Sequence, residues 1–119
     1  IYDCVIADVP CSGLGVLGKK PDLRYADPAR FSILPPLQAA ILDRAAAYVR
    51  PGGVLLYSTC TLLPEENEER VRAFLDDHRD FIPEPFSVGA LTAETGMVTL
   101  FPHIHRTDGF FIARMRRKD

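Results

Sequence analysis

Two cysteines stand where thiol chemistry would be useful. Cys11 falls in Asp8-Val9-Pro10-Cys11-Ser12-Gly13-Leu14-Gly15 and Cys60 in Tyr57-Ser58-Thr59-Cys60-Thr61, and each directly follows an apolar run that reads as a buried strand. In an open α/β sheet, ligands gather at the carboxyl ends of the strands, so two such ends can present two thiols to one crevice. The chemistry this suggests is covalent catalysis, in which a thiolate is the attacking group. A single intracellular cysteine is more often a small buried core residue, but Ser58, Thr59 and Thr61 are the polar neighbours expected where a strand opens onto a pocket. Pro10 has no N–H to give a ladder and fixes its own φ, so the first strand ends there and holds Cys11 at its mouth. Asp8 is a charge at the end of an otherwise apolar strand. Burying it unpaired would be costly, so solvent, a group of the protein or a substrate amino group should meet it.

The remaining reactive types are less telling. Cys4 alternates with Val5 inside the first strand and reads as core. His78, His103 and His105 are ligand types, but there is no Cys-x-x-Cys pair or other dense ligand spacing, so no metal is expected. Gly13-Leu14-Gly15 is too short to be a dinucleotide fingerprint.

The elements that must position these groups follow from periodicity. Cys4-Val5-Ile6-Ala7 fits a strand buried on both faces, as in a parallel sheet. Gly13, Gly15, Gly18 and Pro21-Asp22 mark a long irregular loop, and Asp27-Pro28 opens a helical turn that Pro35-Pro36 should interrupt. From Leu37 the period is helical, with Leu37, Ile41, Ala45 and Tyr48 on one face and Leu42 and Val49 widening it. Arg50-Pro51-Gly52-Gly53 should end that helix, and Val54-Leu55-Leu56-Tyr57 is a second buried strand. Strand, helix and strand then form a parallel βαβ crossover. A second helix is predicted from Pro64, with Glu65, Glu66, Glu68 and Glu69 at its positive end and Val71, Phe74 and Leu75 facing inward. Short strands follow at Phe81-Ile82, at 97–101 and at 110–113.

The 119 residues allow one domain. A hydrophobic content of 47% with 25% charged residues is ordinary for a globular protein, and no apolar run approaches bilayer length, so no membrane segment is expected. Three irregularly spaced cysteines and the lack of a signal-peptide pattern predict a cytoplasmic protein with reduced thiols. A net charge of -2 argues against nucleic-acid binding by bulk electrostatics, so any such contact must be local. Lys19, Lys20 and Arg24 are the candidates; the basic tail Arg114-Met115-Arg116-Arg117-Lys118 reads as a solvated terminus. The opening Ile1-Tyr2-Asp3, without an initiator methionine, reads as part of a longer protein.

These residues resemble the RNA (cytosine-5)-methyltransferase family, in particular the bacterial 16S rRNA methyltransferase B (Sun/Fmu) type. Asp8-Val9-Pro10-Cys11-Ser12-Gly13-Leu14-Gly15 looks like the family's fourth motif, which usually has alanine where Val9 stands. Tyr57-Ser58-Thr59-Cys60-Thr61 with Pro64-Glu65-Glu66-Asn67-Glu68 looks like its sixth, and Asp108-Gly109-Phe110-Phe111-Ile112-Ala113 is similar to its closing strand. The resemblance implies an α/β fold. Residues 1–119 would be the C-terminal, acceptor half of a Rossmann-like methyltransferase domain, with a mostly parallel sheet and an antiparallel last strand. It also implies S-adenosylmethionine as methyl donor and C5 of a cytosine in RNA, ribosomal RNA above all, as acceptor.

In such enzymes the cysteine matching Cys60 attacks C6 of the base, the one matching Cys11 assists release, and the carboxylate matching Asp8 holds the cytosine edge. Pro10 and Ser12, with Lys19, Lys20 and Arg24, are then substrate-side candidates, and Asp8 is also a partial cofactor contact. The family's glycine-rich cofactor loop lies upstream of the motif at Asp8, so residues 1–119 alone are expected to be inactive, with an open sheet edge that invites self-association. Two other readings stand beside this one. A DNA cytosine-5 methyltransferase would make Cys11 the nucleophile and leave the second cysteine motif without a role. A non-catalytic RNA-binding or assembly module could use the same scaffold.

Overall fold

β1 (Tyr2–Asp8) and β2 (Val49–Thr59) lie side by side and parallel, with α1 (Leu34–Ala46) between them in sequence, so the predicted βαβ unit is present. The computed structural model describes residues 1–10, 33–89, 91–100 and 109–119. Asp27-Pro28, the glycine loop and the histidines at 103 and 105 lie outside them. After β2 come a 3₁₀ turn (Pro64–Glu66), α2 (Glu68–Asp77) and five more strands, the first four of them short. These are β3 (Phe81–Pro83), β4 (Phe86–Val88), β5 (Leu91–Ala93), β6 (Met97–Leu100) and β7 (Phe110–Arg117). The main sheet runs β1-β2-β7-β3, with β6 also on β7, and β4 pairs with β5 as a separate hairpin. The expected antiparallel last strand is β7. Because β7 also pairs antiparallel with β3 and β6, the parallel part of the sheet among the described strands is the β1–β2 pair.

Among the described residues, the elements that cover the sheet lie on one face. Ala7, Leu55, Tyr57, Ala113 and Met115 alternate toward α1 and α2, where Leu42, Val71 and Phe74 close the core. Cys4, Ile6 and Asp8 point the other way and are exposed. Two-faced burial of β1 was therefore the wrong expectation, and Cys4 is not a core residue. It shares the uncovered face with Ile6, which is 68% exposed.

Three further expectations change. Pro35 and Pro36 do not interrupt a helix but start one: they occupy the first turn of α1, where a missing N–H costs nothing. The inward stripe of α1 is Gln38, Leu42 and Ala46, flanked by Ile41 and Ala45. Leu37 is 45% exposed and Tyr48 lies past the helix and is 52% exposed, so the apolar face sits one residue later than the pattern predicted. Arg50-Pro51-Gly52-Gly53 is not the turn after the helix. It lies inside β2, where the register slips between the Tyr2↔Val49 and Cys4↔Val54 pairs and Gly52 takes φ +80°.

The basic tail is also not a solvated terminus. Arg114 and Arg116 lie on β7 and grip Glu84 from both sides at 2.9 and 2.8 Å, while Arg117 meets Asp80 at 3.1 Å. The hydrogen bond from Arg116 holds the Glu84 carboxyl below its ordinary value of 4.5; partial desolvation opposes this, and Arg114 adds to it. A depressed carboxyl stabilises the fold at neutral pH, and that contribution is lost as pH falls below 4.5 through the lowered value. Glu84→Gln should therefore cost up to about 1 kcal/mol at pH 7, and thermal melts at falling pH should show the gap to the parent protein closing in acid.

Candidate active site

The carboxyl ends of β1 and β2 emerge together because the two strands are parallel and in register there. Asp8 is the direct partner of Ser58. The Val9 N–H donates to the Ser58 carbonyl at 3.2 Å and the Ser58 hydroxyl donates to Asp8 Oδ1 at 3.1 Å. Asp8 thus finds its partner within the protein while its carboxylate stays exposed on the open face of the sheet. A solvent-facing carboxylate with one hydroxyl donor is fixed in direction yet able to accept further hydrogen bonds.

Cys60 follows the last residue of β2 and is half-buried. The residues on both sides of it are pinned by polar groups that the fold hides. Thr59 Oγ1 donates to Asn67 Oδ1 at 2.6 Å, and Asn67 Nδ2 returns a bond to the Thr61 carbonyl at 2.9 Å. Thr61 Oγ1 accepts from the Leu63 N–H at 3.2 Å, and the Tyr57 hydroxyl donates to the Glu66 carbonyl at 2.6 Å. Thr59, Thr61, Glu66 and Asn67 are each no more than 1% exposed. Buried polar groups stay in a core only when they find partners, and a satisfied network fixes geometry tightly. Asn67 stands at the N-cap of α2, yet its side chain makes no capping bond. It turns back to the cysteine loop, which brings the start of α2 against the residues flanking Cys60.

A second buried amide joins this network to the end of the strand that leads into the other cysteine motif. Gln38 Nε2 donates to the Pro10 carbonyl at 2.9 Å and to Glu66 Oε1 at 3.0 Å. Gln38 escaped the sequence reading, and Glu66 and Asn67 entered it as parts of a motif and a helix start, with no role in holding the Cys60 loop. The signal for Gln38 was a polar residue in phase with Leu42 and Ala46 on the buried stripe of a helix.

Of the predicted site residues, the structure brings together Asp8, Pro10 and the Cys60 loop at one end of the sheet. Cys11, Ser12, Lys19, Lys20 and Arg24 lie outside the described residues. His78 is remote from this end; it stacks on Phe74 at 4.1 Å and its Nε2 lies 3.5 Å from Asp43. Among the described residues no group of three or more His, Cys, Asp or Glu side chains is arranged to hold a metal. No helix among them is long and apolar enough to cross a membrane.

Comparison with known proteins places the chain in a family. The chain is 47% identical over 123 residues to the probable ribosomal RNA small subunit methyltransferase B of Synechocystis, covering 98% of this chain and 28% of that protein. It is 38% identical to ribosomal RNA small subunit methyltransferase F of Serratia proteamaculans, covering 98% of this chain and 26% of that one. The crystal structure of NSun6 from Pyrococcus horikoshii with SFG superposes with a TM-score of 0.79 at 34% identity, over 96% of this chain and 29% of that chain. The chain therefore spans a little over a quarter of the length of each of these three proteins. Residues 1–116 match the model of the 16S rRNA methyltransferase RsmB/F family, and the chain belongs to that family.

Proposed function

We propose that this chain is the acceptor half of an enzyme that methylates C5 of a cytosine in RNA, with ribosomal RNA as the substrate class. The observation that carries this reading is the Asp8↔Ser58 register. Neighbouring strands are about 4.8 Å apart, so the loops bearing Cys11 and Cys60 leave the sheet at one end and start one strand-spacing apart. The family and the rRNA methyltransferase names of its relatives support the substrate class.

C5 of a neutral cytosine is a poor nucleophile, and covalent addition at C6 divides one difficult step into easier ones. In the proposed sequence the Cys60 thiolate forms a bond to C6, and the C5–C6 electron pair shifts to C5. Asp8 holds the base at its ring nitrogen and amino group. C5 would then bond the methyl carbon as that carbon's bond to the donor sulfur breaks, the pair staying on the sulfur. The C5 proton leaves to a base with the assistance of Cys11, and the C6–S bond breaks with its pair returning to the Cys60 sulfur. A ring reached in this way must be unstacked, which suits a loop or flipped nucleotide. Pro10 and Ser12 would border the base, and Lys19, Lys20 and Arg24 would meet phosphates.

S-adenosylmethionine, when bound, supplies the methyl group. The exposed Asp8 carboxylate suits the donor's amino and sulfonium groups, and SFG, an analogue of that donor, accompanies the NSun6 structure. The rest of the donor site lies, on this reading, outside residues 1–119, so this chain alone is inactive. Its β1 edge then stays open to a second copy.

Trapping tests the reading. Full-length protein carrying Cys11→Ala should accumulate a covalent RNA adduct stable to denaturing electrophoresis, and adding Cys60→Ala should abolish it. Residues 1–119 alone should give no methyl transfer. An adduct that survives loss of Cys60 would sink the assignment.

A further inference from the structure

A groove of about 200 Å³ lies between α2 and β6, lined in part by Glu68 and Arg72 of α2, Met97 and Thr99 of β6 and Phe111 of β7. Thr99 is the register partner of Phe111, and Phe111 that of Thr59, the residue before Cys60. Two strand spacings of about 4.8 Å put Thr99 about 10 Å from Thr59. A stacked nucleic-acid strand rises about 3.4 Å per nucleotide and an unstacked one more, so RNA held at Cys60 reaches the groove within about three nucleotides.

The walls of the groove differ in kind. The Thr99 hydroxyl donates to Glu68 Oε1 at 3.3 Å, which fixes the direction of a half-buried carboxylate. A carboxylate only accepts hydrogen bonds, with about four acceptor sites on its two oxygens. Met97 is partly buried against the core beside Phe111 and offers apolar surface to a ring. Arg72, one turn along α2 from Glu68, is exposed and has no ion pair or hydrogen bond among the described residues. A volume below the roughly 300–1,000 Å³ of sites for drug-sized ligands suits a single base. The carboxylate repels phosphate and attracts N–H groups, so the base and not its phosphate belongs in the groove. Guanine alone among the RNA bases has two adjacent N–H donors on its Watson–Crick edge, N1–H and N2–H, to match the two oxygens of one carboxylate. That edge is free in unpaired RNA.

We propose that the groove between α2 and β6 is a subsite for an unpaired guanine near the target cytosine, with Glu68 reading its Watson–Crick edge and Arg72 meeting the adjoining phosphate. This rests on the reading of the chain as the acceptor half of an RNA cytosine methyltransferase. Glu68 then sets which cytosines are chosen, while Arg72 adds affinity without regard to sequence.

The test uses full-length protein and small-subunit rRNA, free and assembled with its proteins, with the methylated cytosine located by bisulfite sequencing. A guanine should stand within about three nucleotides of it. Exchanging that guanine for adenine should lower kcat/KM by about tenfold or more, the effect of losing one bidentate contact. In Glu68→Gln, whose amide cannot accept both N–H groups, the same exchange should cost about twofold or less, because the interaction it removes is already gone. Thr99→Val, which leaves the carboxylate unsteered, should narrow the guanine-to-adenine ratio less; it provides the measurement if Glu68→Gln does not fold. Arg72→Gln should weaken binding of both RNAs alike and reduce the salt slope by about 1. A residue that only supports the start of α2 would lower methylation of both RNAs in parallel. An unchanged ratio in whichever variant folds therefore overturns the proposal, as does a methylated cytosine with no guanine so near. If the parent protein methylates no cytosine in this RNA, the methyltransferase reading fails and the subsite with it; if it does and the ratio stays unmoved, only the subsite fails.

Discussion

Replacing Cys60 with alanine in the full-length protein should lower methyl transfer to RNA by roughly 10³-fold or more, in line with loss of a covalent nucleophile. The fold should barely register the change. Cys60 is half-buried, lies outside β2 and removes only a sulfur on mutation, so the cost in stability should be about 1 kcal/mol or less. Labelled-methyl incorporation set beside a thermal melt separates the two effects. Near-normal incorporation by the alanine protein would remove Cys60 from the chemistry.

Asn67→Ala should act in the opposite order, on stability first. The substitution deletes the acceptor of the Thr59 hydroxyl and the donor to the Thr61 carbonyl, both buried. Leaving such groups without these bonds costs about 1–3 kcal/mol each, and the two share one side chain, so a loss of about 2–4 kcal/mol is expected in denaturant titration. Asn67→Asp keeps the acceptor but cannot donate to Thr61, and should fall between. Because Thr59 and Thr61 bracket Cys60, both variants should also lose methyl transfer in any fraction that remains folded. An alanine variant as stable as the parent would mean that the Cys60 loop is held by something other than this amide.

The parts of the fold that were legible in the sequence are those written in local pattern. Apolar runs ending at Asp8-Val9-Pro10 and Ser58-Thr59-Cys60 announced two strands and their carboxyl ends, and α1 from Leu37 onward and the stripe of Val71, Phe74 and Leu75 were visible as helical period. What escaped depended on distant partners. Nothing local to Arg114 and Arg116 tells that Glu84 waits 30 and 32 residues away to turn a basic tail into a strand. Cys4 looked like core because alternation assigns residues to faces but cannot say which face is covered. The stripe of α1 was misplaced by one position because Gln38, the residue that defines it, is polar. The β4–β5 hairpin, three residues a strand, is too short to show a period.

The same elements decide when the cysteine-bearing end of β2 can become rigid. β2 lies between β1 and β7, and β7 is met only much later along the chain: Arg116 reaches back 64 positions to the Gly52 carbonyl. A ribosome releasing this chain from its amino end delivers both thiols well before the strand that buttresses one of them. Formation of the cysteine-bearing end thus waits on late synthesis, and until β7 docks, β2 carries an unsatisfied border on the side that β7 will cover.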